Sequence, residues 1–166
     1  MTALSTNDLL NRVLVVHNRS LATYLHDAMP WVRYGDNRAM DTMRQIVRDQ
    51  KQVVERLVAM ITDNNGAAEH GEYPMPFTAY HDVSFEWLLP MLIQRQQKTI
   101  QYLQKCAEQL ALAPMARAVV EETVGMAKGH LEMLEELLSA PKGDGSARLT
   151  IHNAGHGEPA SAAGAH

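Results

Sequence analysis

Four long amphipathic segments, separated by helix-breaking residues, constrain the fold of this chain more than any other feature. In each segment apolar side chains recur three and four residues apart, and at about 100° per residue they fall on one face of a helix. The predicted helices run from near Thr6 to a stop or kink at Pro30, from Asp36 or Asn37 to Asp63, from Thr78 or Ser84 to Ala111 with a bend at Pro90, and from Pro114 to Leu138. The sequence therefore predicts an all-α fold, an antiparallel four-helix bundle whose second and third helices are joined by a long connection, Gly66 to Phe77.

The size of the chain limits it to one core. With 166 residues, of which 46% are hydrophobic, it can bury one sizeable core but hardly two. We therefore expect one bundle domain over residues 1–140. Residues 141–166 are rich in Gly, Ala and Ser, a composition typical of a disordered tail.

Charge and cysteine content exclude several function classes. The net charge is -4 and the basic residues are scattered, which argues against a nucleic-acid partner. No apolar run is long enough to suggest a membrane span, and no signal peptide is recognisable. The single cysteine, Cys106, rules out an intrachain disulfide framework. A cytoplasmic location without membrane association is the expectation.

Polar residues interrupt the apolar face of every predicted helix. His17, Gln50, Arg95 and His130 each lie among residues expected to be buried, and Tyr24 lies on the same face as His17. An unpaired buried charge costs several kcal/mol, so four such insertions are unlikely to be accidental. The five residues are predicted to form one polar layer in the core.

The positions of these residues resemble those of the metal ligands in a bacterioferritin. The segment Leu10–His17 followed by Tyr24 is similar to the first helix of that family, with His17 in the place of a glutamate ligand. Gln50–Val53 and Ala127–His130 stand where the family has its two Glu-x-x-His pairs. Arg95, or Gln94 if the register differs by one residue, stands near the glutamate of the third helix. The resemblance covers residues 6–138 and implies a ferritin-like bundle.

That resemblance also implies that the di-iron chemistry of the family has been lost. A di-iron centre needs about four carboxylates and two imidazoles, and only His130 keeps its expected role. Arg95 would add a fixed positive charge where the metal should sit. Ferroxidase activity is therefore not expected, no catalytic residue is assigned, and no cofactor is required.

Three functions from different classes stay open at this point. The first is a structural or protein-interaction module built on a degenerate ferritin-like bundle, which would not be an enzyme. The second is a binding protein that retains a single transition metal or a small ligand near His17 and His130. The third is an iron-dependent oxidoreductase or a cargo protein of an encapsulin shell, because Arg148–Ile151 in the tail resembles part of a shell-docking peptide.

A second set of apolar residues lies off the predicted core face. Such stripes either cover other segments of the same chain or form the interface of a homodimer or a higher homo-oligomer. They comprise Val15, Ala22 and Met29 on the first helix, and Leu89, Ile93 and Ile100 on the third.

Overall fold

The computed structural model describes residues 4–28 and 37–140, and these are predominantly helical, with no β-strand among them. The helices are α1 (Thr6–Asn18), α2 (Leu21–Ala28), α3 (Asn37–Asp63), α4 (Phe85–Gln109) and α5 (Pro114–Ser139), and a 3₁₀ helix spans Met75–Tyr80. The predicted all-α class is confirmed. None of these helices is long and apolar enough to cross a membrane.

The first predicted helix is in fact two helices, which corrects the sequence-based boundary. α1 begins with a capping box between Ser5 and Asp8, as expected, but it ends at Asn18. Ser20 then starts α2, since its hydroxyl accepts a hydrogen bond from the backbone N–H of Thr23 at 3.0 Å. The predicted stop at Pro30 and the predicted tail over residues 141–166 lie outside the described residues.

The other boundaries follow local sequence signals closely. α3 runs from Asn37 to Asp63, and α5 begins at Pro114, where proline suits the first turn. Of the two predicted starts for the third long helix the later is correct, because the Ser84 hydroxyl accepts from the backbone N–H of Trp87. α4 continues as a helix through Pro90.

Two apolar clusters meet partway along the helices. The first, the α1 cluster, includes Leu14, Leu57 and Ala127, and the second, the α2 cluster, includes Leu21, Val47 and Leu134. Along α3 the buried residues pass from the α2 cluster at Val47 to the α1 cluster at Leu57, and along α5 they pass from the α1 cluster at Ala127 to the α2 cluster at Leu134. His17, Gln50 and His130 therefore lie at the boundary between the two clusters, with apolar core on either side.

The long connection after α3 is held against the first two helices by hydrogen bonds to its backbone. The Asn11 amide donates to the Ala67 carbonyl and accepts from the Glu69 N–H, both at 2.9 Å. Arg19 Nε donates to the carbonyls of His70 and Gly71 at 3.1 and 2.9 Å. Gly71 has a φ of 64° and sits directly over Val15, where a Cβ would lie 2.8 Å from a methyl group.

Several apolar positions are more or less buried than predicted. Leu89, Ile93 and Ile100 are buried within the chain, so they do not form the outward stripe on which a dimer interface was considered. Tyr102 and Leu138, in contrast, are 37% and 55% exposed. The stripe on the third helix therefore covers other segments of the same chain, as one of the two predictions had it. Met29 of the first stripe lies outside the described residues.

Candidate functional site

His17 is the most unusual residue of the core. It lies in the last turn of α1, just before the break, at the boundary between the two apolar clusters. Only 1% of its surface is exposed, and among the described residues neither Nδ1 nor Nε2 has a hydrogen-bond partner. A buried polar group without a partner costs roughly 1–3 kcal/mol, so the fold bears a penalty at this position.

His130 approaches the same level from α5. It is 2% exposed, and its Nε2 is hydrogen-bonded to Oδ2 of Asp49 at 2.9 Å. An ionised carboxylate can only accept, so Nε2 carries the hydrogen. In the neutral ring Nδ1 then bears a lone pair, and this nitrogen is also buried without a partner.

Asp49 places a carboxylate beside His130, although the predicted polar layer did not include this residue. Its Oδ1 accepts a hydrogen bond from the Gln45 side-chain amide at 2.8 Å, while Oδ2 faces His130. Its position, three residues after Ile46 and four before Val53, places it beside the apolar stripe of α3. That spacing was the signal that could have identified it.

Unpartnered polar atoms are concentrated at this one place. Among the described residues, four buried side-chain nitrogen or oxygen atoms have no hydrogen-bond partner, and three of them belong to His17 and His130. The fourth is Oδ1 of Asn7, at the far end of α1. The two rings also interact electrostatically. Burial, with a smaller contribution from the charge of His130, lowers the pKa of His17 from 6.5 to about 4.

The other three residues of the predicted layer are not bonded to these histidines, which corrects the prediction of one connected polar network. Gln50 is buried, but its amide oxygen accepts hydrogen bonds from the hydroxyls of Ser20 and Thr23 at 2.7 and 3.1 Å. It therefore fixes the break between α1 and α2.

Tyr24 and Arg95 belong to an aromatic cluster instead. The Tyr24 hydroxyl is hydrogen-bonded to Nε2 of His81, and its ring contacts Tyr73 and Phe77. The Arg95 guanidinium lies over the Phe77 ring, 4.9 Å from the centroid. Arg95 is therefore engaged in a cation–π contact, and it is not a hydrogen-bond partner of either histidine.

A cleft between α3 and α5 reaches the site from outside. It has a volume of about 370 Å³, and its lining includes Asp49, Thr123 and Met126. The side chain of Asp49 is 26% exposed, whereas that of His130 behind it is 3% exposed. At the rim Arg56 and Glu122 form an ion pair at 2.5 Å. Asp49 thus lies between the cleft and the buried ring of His130.

The described residues contain no group of three or more His, Cys, Asp or Glu side chains arranged to hold a metal ion. The arrangement instead offers two imidazoles with free nitrogens and one carboxylate behind the second ring. Comparison of the chain with protein-family models, curated proteins and solved structures finds no match. The resemblance to bacterioferritins stays a prediction from the sequence.

Proposed function

We propose that this chain is a ferritin-like, antiparallel four-helix bundle without ferroxidase activity, and that it binds one small ligand at His17 and His130. In this architecture α1 and α2 together form the first long helix. Hydrogen bonds and ion pairs between helices support the antiparallel order. Asp49 of α3 pairs with His130 of α5, and Arg56, further along α3, pairs with Glu122, earlier in α5.

The donor set at this level supports the loss of di-iron chemistry. A paired-iron site needs about four carboxylates to bridge and neutralise two cations. Asp49 is the carboxylate here, and it is engaged by His130 and Gln45. Gln50, at the position of a family ligand, is a neutral amide bonded to two hydroxyls. Such a set has too little negative charge for two irons.

One observation carries the binding function: three buried imidazole nitrogens have no hydrogen-bond partner among the residues that the structure describes. Core polar groups that serve only packing are normally hydrogen-bonded, as Gln50 is. A ligand held between the two rings would partner one nitrogen of each ring and so reduce the penalty. Two imidazoles on different helices, enclosed by apolar core, form a small site suited to a single ion or a very small molecule.

The test measures metal binding by the full chain. One preparation is purified without chelator, and a second is treated with chelator to remove any metal. Metal content by mass spectrometry, followed by titration of the metal-free protein with Cu(I), Zn(II), Ni(II) and Fe(II), should reveal one equivalent that depends on His17. His17→Leu should abolish this equivalent, and His70→Ala, which removes an exposed histidine, should keep it. Equal binding by wild type and His17→Leu, or no binding by either, would refute the proposal.

A second candidate function, a protein-interaction module, is favoured by apolar residues at the α4–α5 turn. Leu112 is fully exposed and Met115 is 76% exposed. Met115 lines a groove of about 750 Å³ together with Met60 and Ala113, and Leu112 precedes Ala113 in the chain. A homodimer through this end would bury them, and light scattering should then show a dimer that Leu112→Asp converts to a monomer. The shell-docking hypothesis rests on Arg148–Ile151, outside the described residues.

A further inference from the structure

The chemistry of the two imidazoles narrows the class of ligand. We infer that the ligand of the His17–His130 site is a single closed-shell monovalent cation, Cu(I) or its analogue Ag(I), with Asp49 as the compensating charge. This inference rests on the proposed binding function. It adds the identity and charge of the ligand, which that function leaves open.

The hydrogen bond to Asp49 leaves the buried Nδ1 of His130 as the nitrogen that can bind a cation. Because Nε2–H donates a hydrogen bond to the carboxylate, the lone pair of the neutral ring lies on the buried, unpartnered Nδ1. A carboxylate behind a ligating imidazole fixes its tautomer and raises its basicity. His17 contributes a second lone pair, because one nitrogen of any neutral imidazole is an acceptor. Each ring therefore has one buried lone pair without a partner among the described residues.

The charge around the pair favours a single positive charge. Asp49 carries one negative charge, and Glu122, the other acid lining the cleft, is paired with Arg56 at the rim. A monovalent cation bound to the rings would make the site neutral. A divalent cation would leave one uncompensated charge beside rings that are at most 2% exposed, which is unfavourable in a medium of low dielectric constant.

The number of donors points the same way. Zn(II) in proteins takes four ligands, and octahedral cations take six. The described residues supply no cluster of three or more His, Cys, Asp or Glu side chains. Cu(I) and Ag(I), in contrast, form stable linear complexes with two neutral nitrogen donors. Imidazole is also a suitable ligand for copper.

Asp49 also presents its negative charge to the cleft between α3 and α5. It lies where the α3–α5 cleft meets the core, with its side chain 26% exposed. A carboxylate at the inner end of a cleft attracts cations and repels anions. The same residue therefore draws the ion inward and balances its charge once it is bound.

The experiment uses the full chain with competing thiol and tail donors removed. The background variant carries Cys106→Ala, because a soft cation also binds thiols, and alanine in place of His152, His156 and His166. The chelator-treated protein is titrated anaerobically with Cu(I) against a chromogenic chelator, and separately dialysed against Zn(II) and Fe(II). We expect one tight Cu(I) equivalent and at least 100-fold weaker binding of both divalent ions.

Two variants test the assigned roles. His17→Leu should weaken Cu(I) binding at least 100-fold. Asp49→Asn, which keeps an acceptor oxygen but loses the charge, should weaken it by about 10- to 100-fold and leave the helical circular dichroism unchanged. If Asp49→Asn weakens Cu(I) binding less than twofold, the role of Asp49 as the compensating charge is overturned.

The outcomes separate this inference from the function on which it rests. If Zn(II) or Fe(II) binds in a His17-dependent manner and Cu(I) does not, the monovalent assignment is wrong and the binding function stands. If no ion binds in a His17-dependent manner, both are wrong. If Cu(I) binds equally well to His17→Leu, the ion sits elsewhere and the inference is overturned.

Discussion

Replacing His17 with leucine should make the metal-free protein more stable. The imidazole is 1% exposed and neither ring nitrogen has a partner among the described residues. Leucine is similar in size and has no polar group to desolvate. Removing an unsatisfied buried group should yield about 1–3 kcal/mol at pH 7. For a chain of this length 2 kcal/mol corresponds to a rise in Tm of roughly 4–8 °C.

The advantage of leucine should grow as the pH falls. The pKa of His17 is about 4 in the fold, against 6.5 in the unfolded chain, because burial and the charge of His130 disfavour the imidazolium. Between these values the unfolded state binds the proton and the folded state does not, so wild-type stability decreases as the pH falls from 6.5 to 4. The loss attributable to His17 is roughly 3 kcal/mol over this range. His17→Leu should lack this contribution.

Urea denaturation of both chelator-treated proteins at pH 7 and pH 5, followed by circular dichroism, measures these differences. Gln50→Leu is the matched control, because Gln50 is equally buried but bonded to Ser20 and Thr23, and its loss should destabilise the protein by about 1–2 kcal/mol. A less stable His17→Leu at pH 7, or a gap to wild type that does not widen at pH 5, would show that His17 has a structural partner and would refute the reasoning.

Three further predictions concern the connection, helix α5 and the proposed absence of ferroxidase activity. Gly71→Ala should destabilise the protein by about 1–2 kcal/mol, because Gly71 has a φ of 64° and lies against Val15. Gly125→Ala should stabilise it by up to about 1 kcal/mol, because an added Cβ there meets nothing. The same urea titration measures both. Asn11→Ala should cost about 2 kcal/mol and speed proteolysis of the connection, because two backbone groups lose their partner. Iron(II) oxidation, followed by oxygen consumption, should not exceed the rate in buffer, and an enhanced rate would contradict the loss of ferroxidase activity.

The features that the sequence predicted well depend on local signals. The starts of α3 at Asn37 and of α5 at Pro114 follow from capping and proline preferences within a few residues, and the buried positions of His17, Gln50 and His130 follow from helical periodicity. Such signals act within one helix. They therefore specify where helices begin and which face is buried.

The features that the sequence did not predict depend on partners far along the chain. The break after α1 is fixed by Gln50, about thirty residues away, and by carbonyls of the connection that accept from Arg19. Asp49 reaches His130 across 81 residues, and Arg95 turns to Phe77. Periodicity places a side chain on a face but does not identify the group it contacts, so the layer was predicted as one network and is in fact divided.

We propose that two buried imidazoles form a one-cation site at the junction of the apolar clusters. Long-range nitrogen–proton NMR of the full chain, with the ring nitrogens of all histidines labelled, tests it directly when recorded before and after one equivalent of Ag(I). We predict that Nδ1 of His130 and one nitrogen of His17 shift on binding while Nε2 of His130 keeps its hydrogen. Unchanged resonances of both rings, with Ag(I) bound at exposed histidines or at Cys106, would contradict the claim.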